Sequence, residues 1–129
     1  MAQTLEQKRV WSKKDYQQKR SKNWTLKDHL KHLIWQYKTR KELTYEILLE
    51  IYKEQEGKCA FTGIELTYIR GQGKVKTNIS IDRIEAGDPY IKENIQLVCS
   101  VVNKMKSNMS DDEFKWWCNA VSKYEKGIV

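Results

Sequence analysis

Residues 78–106 read NISIDRIEAGDPYIKENIQLVCSVVNKMK, and the reading of this stretch decides the fold. Apolar and polar residues alternate over 78–84, with Ile79, Ile81 and Arg83 on one side and Ser80, Asp82 and Ile84 on the other. That is the period of a β-strand. Gly87-Asp88-Pro89-Tyr90 marks a turn, residues 95–98 fit a second strand, and Val101, Val102 and Met105 fit a short helix. The stretch therefore predicts a hairpin followed by a helix. Asp82 falls at the end of the first strand, Asn94 after the turn and Asn103 on the helix. A helix packed across the hairpin would bring Asp82 and Asn103 together. One carboxylate, one amide oxygen and several waters suit Mg²⁺, which keeps much of its hydration shell. Such an ion can neutralise a phosphodiester and stabilise its leaving oxygen. Taken singly, each residue has a plainer reading: Asp82 as a turn cap or ion-pair partner, Asn94 as a local hydrogen bonder, Asn103 as a solvated helix residue.

Upstream, Thr25 with Asp28 three residues on resembles a capping box, and Leu26, Leu30, Leu33, Ile34 and Tyr37 follow at helical spacing over about 26–38. A second helix starts near Thr44, shows Ile47, Leu48, Ile51 and Tyr52 on one face, and meets Gly57 where a C-cap belongs. Residues 59–63 read as a short strand entering a tight turn, and 64–68 as its return. Arg70-Gly71-Gln72-Gly73-Lys74 is a basic loop with too few signals for a phosphate cradle. Downstream, Ser110-Asp111-Asp112-Glu113 predicts a helix start. Phe114, Trp117, Cys118, Val121 and Tyr124 form an apolar stripe read as core. The fold class expected is α+β: a ββα core with flanking helices and a basic N-terminal helical arm.

The chain has 129 residues, 40% hydrophobic and 32% charged, enough for one compact domain with an extension. Its net charge of +7 is unevenly placed. Residues 1–41 carry twelve Lys/Arg against three acids, and residues 42–129 carry twelve against fourteen, so the excess splits as +9 and −2. Trp11, Tyr16, Trp24, Trp35 and Tyr37 are interleaved with those cations. Lysine and arginine with nearby aromatics are what phosphate neutralisation and base stacking ask for. The division expected is a nucleic-acid-binding arm over 1–41, either a helix on DNA or an arm along it, and a core domain over 42–129. Lys8, Arg9, Lys13, Lys14, Lys19, Arg20, Lys22, Lys27, Lys31, Lys38 and Arg40 are its candidate DNA contacts. No apolar run reaches the roughly 18 residues of a membrane span, and no apolar leader opens the chain, so a cytoplasmic protein without a membrane partner is expected. Cys59, Cys99 and Cys118 are odd in number and form no CxxC pair; they read as buried, reduced thiols without structural zinc. His29 and His32 read as surface or core residues rather than catalysts.

Together these residues resemble the HNH, or ββα-metal (His-Me finger), endonucleases, especially the small forms that phages encode. The resemblance covers about 44–118. It is carried by Gly57-Lys58-Cys59-Ala60-Phe61-Thr62-Gly63, by Ser80-Ile81-Asp82-Arg83-Ile84, and by Asn94-Ile95-Gln96-Leu97-Val98-Cys99 with Val102-Asn103 and Lys106. It implies that Asp82 and Asn103 hold one Mg²⁺ or Mn²⁺, that Asn94 braces the site, and that Lys104 and Lys106 meet the phosphate backbone. The activity implied is metal-dependent hydrolysis of double-stranded DNA by an activated water, nicking one strand or cutting both, in a bacterial or phage-infected cell. Two features depart from the family's pattern. Arg83 stands where many members carry a base histidine, and an arginine stays protonated and cannot take a proton from water. Cys59/Thr62 and Cys99/Val102 are halves of two zinc knuckles, so packing by the closing helix is expected to replace the metal. The alternative is a catalytically silent HNH-like module that binds DNA or a host protein; an RNA-binding protein is a third reading.

Overall fold

The computed structural model describes residues 23–36 and 42–125. Among the described residues two helices precede the sheet. In α1 (Leu26–Gln36) the Asp28 carboxylate accepts from Thr25 N–H at 3.0 Å while Thr25 Oγ1 accepts from Asp28 N–H at 3.2 Å, the reciprocal capping its sequence predicts. In α2 (Tyr45–Glu54) the Thr44 hydroxyl accepts from Ile47 N–H at 3.2 Å. The chain reverses at Glu56 and Gly57, which adopt φ of 55° and 70°, and Gly57 N–H returns to Tyr52 O at 2.9 Å. Glycine is needed there twice over: its backbone is left-handed, and a Cβ would lie 2.9 Å from Tyr52 Oη.

Strands β1 (Ile79–Arg83) and β2 (Ile95–Cys99) pair antiparallel, with Ile79 opposite Cys99, Ile81 opposite Leu97 and Asp82 opposite Gln96. Helix α3 (Ser100–Lys106) follows β2 directly, and α4 (Asp111–Lys123) closes the described chain. The molecule is a small α+β protein with a two-stranded sheet. Both faces of the hairpin are covered. Ile79, Ile81, Ile95, Leu97 and Cys99 join Leu30, Leu33, Leu48 and Ile51 in one apolar core. On the other face α3 reaches Ser80 through Asn103 and Asp82 through Lys106. The outer edge of β2 is shielded by the Gln55 amide, which donates to Leu97 O at 2.8 Å and accepts from Leu97 N–H at 3.0 Å. That side chain takes the place of a neighbouring strand.

Two sequence expectations are corrected. Residues 59–68 are not a pair of strands. Cys59 O accepts Gly63 N–H at 2.9 Å, so the chain curls and leaves only isolated bridges, Lys58 with Glu65 and Thr67 with Asn78. The aromatic stripe of α4 is not core: Phe114 is buried, edge-on to Phe61 at 5.2 Å, but Trp117, Cys118, Val121 and Tyr124 are exposed. Helix α4 is fastened through its first turns, by Asp111 and Phe114, and nothing among the described residues covers the stripe beyond them. Of the three cysteines expected to be buried, Cys59 and Cys99 are, and Cys118 on the exposed side of α4 is not. Cys59 and Cys99 meet inside the core, with Cys99 N–H donating to Cys59 Sγ at 3.3 Å. Burial pushes the Cys59 thiol up, but hydrogen bonds from Thr62 and from the Cys99 and Phe61 amides hold it below its ordinary value.

His29 is buried in α1, and its Nε2–H donates to Ile79 O at 3.2 Å, tying α1 to β1. Burial lowers its pKa from 6.5 by more than that hydrogen bond raises it. The unfolded chain therefore binds the proton that the folded chain refuses. Stability is full above pH 6.5 and falls as the pH drops below it. Urea midpoints measured between pH 7.5 and 5 should decline, and the decline should be smaller in His29→Gln, which can still donate to Ile79 O. An equal decline in the variant would place the titrating group elsewhere.

Candidate functional site

The hairpin and α3 bring the predicted residues into two places. The first is a buried polar cluster. Asp82 and Lys106 are 4% and 1% exposed, and Lys106 Nζ donates to Asp82 Oδ2 at 2.7 Å, to Arg83 O at 2.6 Å and to Asp111 Oδ1 at 2.6 Å, with Ile84 O at 3.4 Å. Gln96 Nε2 donates to Asp82 Oδ2 at 2.9 Å and to both Asp111 oxygens at 3.2 Å. The cluster arises because Asp82 faces α3 from the strand, Gln96 stands opposite it, and the short link after α3 swings Asp111 over Lys106. A lysine enclosed by four oxygens does not also reach a phosphate, so the backbone contact expected of Lys106 is corrected.

Asn103 sits on the same side but does not bond to Asp82. Its Nδ2 donates to Ser80 Oγ at 2.6 Å and to Ile81 O at 3.0 Å, pinning α3 to β1. Asn94 is buried in the loop after β1. It accepts from Glu85 N–H at 3.0 Å and donates to Glu85 O and Pro89 O at 3.2 and 3.1 Å, so one side chain holds the loop. Arg83 turns away from Asp82, lying 4.7 Å from the Tyr90 ring centre and donating to Asp88 O at 3.3 Å.

The residues as they stand do not fit a divalent ion on Asp82 and Asn103. The Asp82 carboxylate already carries an ammonium on Oδ2, and a second cation against that ammonium would be repelled in a site with little water to screen it. Among the described residues, no three His, Cys, Asp or Glu side chains come together where they would hold a metal ion.

The second place is a groove of about 510 Å³ between α3 and the loop before β1, lined by Lys74, Lys76 and Lys104 with Gly73, Asn78 and Ser100. Ser100 Oγ donates to Val75 O at 2.8 Å and Val101 N–H to Lys76 O at 3.1 Å, so the loop is stitched to the start of α3. The described lining contains three lysines and no carboxylate. It adjoins a smaller pocket that shares Gly73 and Asn78 and adds Trp24, His32 and Arg70; the Arg70 guanidinium stacks 4.2 Å from the Trp24 ring. Lys104 was predicted from the sequence. Arg70, Lys74 and Lys76 were not, though the basic loop that carries Arg70 and Lys74 was visible. On α1, Lys27 and Lys31 are exposed beside the Tyr45 ring. Lys8, Arg9, Lys13, Lys14, Lys19, Arg20, Lys22, Lys38 and Arg40 lie outside the described residues. No described helix is long and apolar enough to cross a membrane.

Comparison with protein-family models, with curated proteins and with solved structures finds no match.

Proposed function

We propose that this chain is an HNH-like module of phage or mobile-element type that grips double-stranded DNA by its phosphates and does not hydrolyse it. The observation that carries the reading is the groove of Lys74, Lys76 and Lys104, with no acid in its described lining. Three lysines around one groove, two from the loop and one from α3, give phosphate affinity without base specificity. The cations of the 1–41 segment would add further contacts. Two features favour binding over hydrolysis: Lys106 neutralises Asp82, and Arg83 cannot serve as a base. The endonuclease reading stands second, favoured by the strand–loop–strand–helix order and by the loop-bracing position of Asn94.

DNA binding titrated against salt tests the groove. Changing Lys74, Lys76 and Lys104 together to Ala should flatten the log–log salt dependence by about 2.7, roughly 0.9 for each phosphate released. An unchanged slope would place the interface elsewhere. Supercoiled plasmid incubated with Mg²⁺, Mn²⁺ or chelator tests the chemistry, and it should stay intact. Metal-dependent nicking that Asp82→Asn abolishes, in a variant shown to be folded, would establish the endonuclease instead.

A further inference from the structure

The surroundings of the Lys106 ammonium have a chemistry that DNA binding does not use. Asp82 Oδ2 on β1, the Arg83 and Ile84 carbonyls at its end, and Asp111 Oδ1 on α4 all converge on one point. Those segments are brought together only by the fold. The point lies inside the protein, where Lys106 is 1% exposed. An ammonium has three protons to give, fewer than the four oxygens turned toward it. Gln96 donates to both carboxylates and so fixes their oxygens in place. Carboxylate and carbonyl oxygens held at such spacing are the donor set of a hard cation.

We propose that Asp82, Asp111 and the carbonyls of Arg83 and Ile84 form a cation cage in which the Lys106 side chain is the resident cation. Without that ammonium the cage takes a divalent ion. Ca²⁺ fits best: the Asp82, Asp111 and Arg83 oxygens, at 2.6–2.7 Å from the ammonium, need only a small contraction to its distances of about 2.3–2.6 Å, Ile84 O at 3.4 Å must move further, and Ca²⁺ tolerates irregular geometry. With Lys106 present, two carboxylates and one ammonium leave one negative charge; with Ca²⁺ the charges cancel. Asn103 is not among the oxygens, so this cage differs from the Asp82/Asn103 pair that the sequence predicts. The chain thus carries its own cation where a metal would otherwise sit. The inference does not depend on whether the groove binds DNA, and its test contains no nucleic acid.

The experiment compares thermal unfolding of the full-length wild type, Lys106→Ala and the Lys106→Ala/Asp82→Asn double variant. Each is measured in chelator, in millimolar Ca²⁺ or Mg²⁺, and in n-propylammonium chloride against NaCl of equal ionic strength. The wild type should not respond. Lys106→Ala should be strongly destabilised in chelator, gain roughly 5 °C or more with Ca²⁺, gain less with Mg²⁺, and be partly restored by propylammonium. The double variant should lose the response to Ca²⁺. If Lys106→Ala is unfolded in chelator, recovery of helical circular dichroism on adding Ca²⁺ is the same result. The proposal is overturned if Lys106→Ala gains nothing from any of these cations, whether folded or unfolded. It is equally overturned if the wild type itself shows a Ca²⁺ or Mg²⁺ response that Asp82→Asn removes.

Discussion

Asp82→Ala is expected to lower the unfolding free energy by about 3–5 kcal/mol, because it strands a buried ammonium rather than a solvated one. Asp82 Oδ2 lies 2.7 Å from Lys106 Nζ, and the two residues are 4% and 1% exposed. The ammonium would keep Asp111, itself one-fifth exposed at its side chain, and the strand-end carbonyls. Losing one of two carboxylates still leaves part of the charge uncompensated where water cannot replace it. Asp82→Asn should cost less, since an amide oxygen can still accept from Nζ. Urea denaturation of the three proteins measures this directly. A midpoint for Asp82→Ala within error of the wild type would mean that the cluster is open to water. The result bears on function, because a loss of activity in Asp82→Ala cannot be assigned to chemistry until its stability is known. The asparagine variant is the cleaner probe.

Leu97→Ala is expected to cost about 3–5 kcal/mol, and Val121→Ala less than about 0.5 kcal/mol. Leu97 is fully buried on β2 opposite Ile81, within the core that α1 and α2 close. Truncating it leaves a cavity that a two-stranded sheet, covered on both faces, has little freedom to collapse. Val121 is 75% exposed on α4. Both residues belong to apolar patterns of similar strength in the sequence, so the contrast measures what the fold adds. Denaturant midpoints at matched pH decide it. A cost above 2 kcal/mol for Val121→Ala would mean that the α4 stripe is covered by chain beyond the described residues or by a second molecule.

The difference between those two leucine- and valine-bearing patterns shows where sequence reading stops. The hairpin–helix unit was legible because its signals are local: alternation over β1, an apolar run in β2, and caps at Thr25, Thr44 and Ser110 whose hydrogen bonds span three residues. Gly57 was legible for the same reason, since a left-handed residue at a helix end is a local requirement. The 59–68 segment was misread. Its residues suit strands, but Gly63 bends the chain back within four residues, too few for a ladder to form.

The candidate site divides along the same line. Asp82, Asn94 and Asn103 could be picked out by type and spacing, and Asn94 holds its own loop, the plainer reading of a local hydrogen bonder. That Lys106 turns inward to meet Asp82 could not be read, because a lysine on a short helix looks solvated in any sequence window. Its burial depends on Asp111, Gln96 and two carbonyls arriving from other segments. Lys74 and Lys76 join Lys104 only because Ser100 and Val101 stitch the loop to α3. The sequence by itself determined the helices, the β1–β2 hairpin, their order and the uneven placement of charge, since each follows from neighbours along the chain. The tertiary structure alone decided which charges are buried and which lysines share a groove, because burial and pairing are set by what other segments bring across the core.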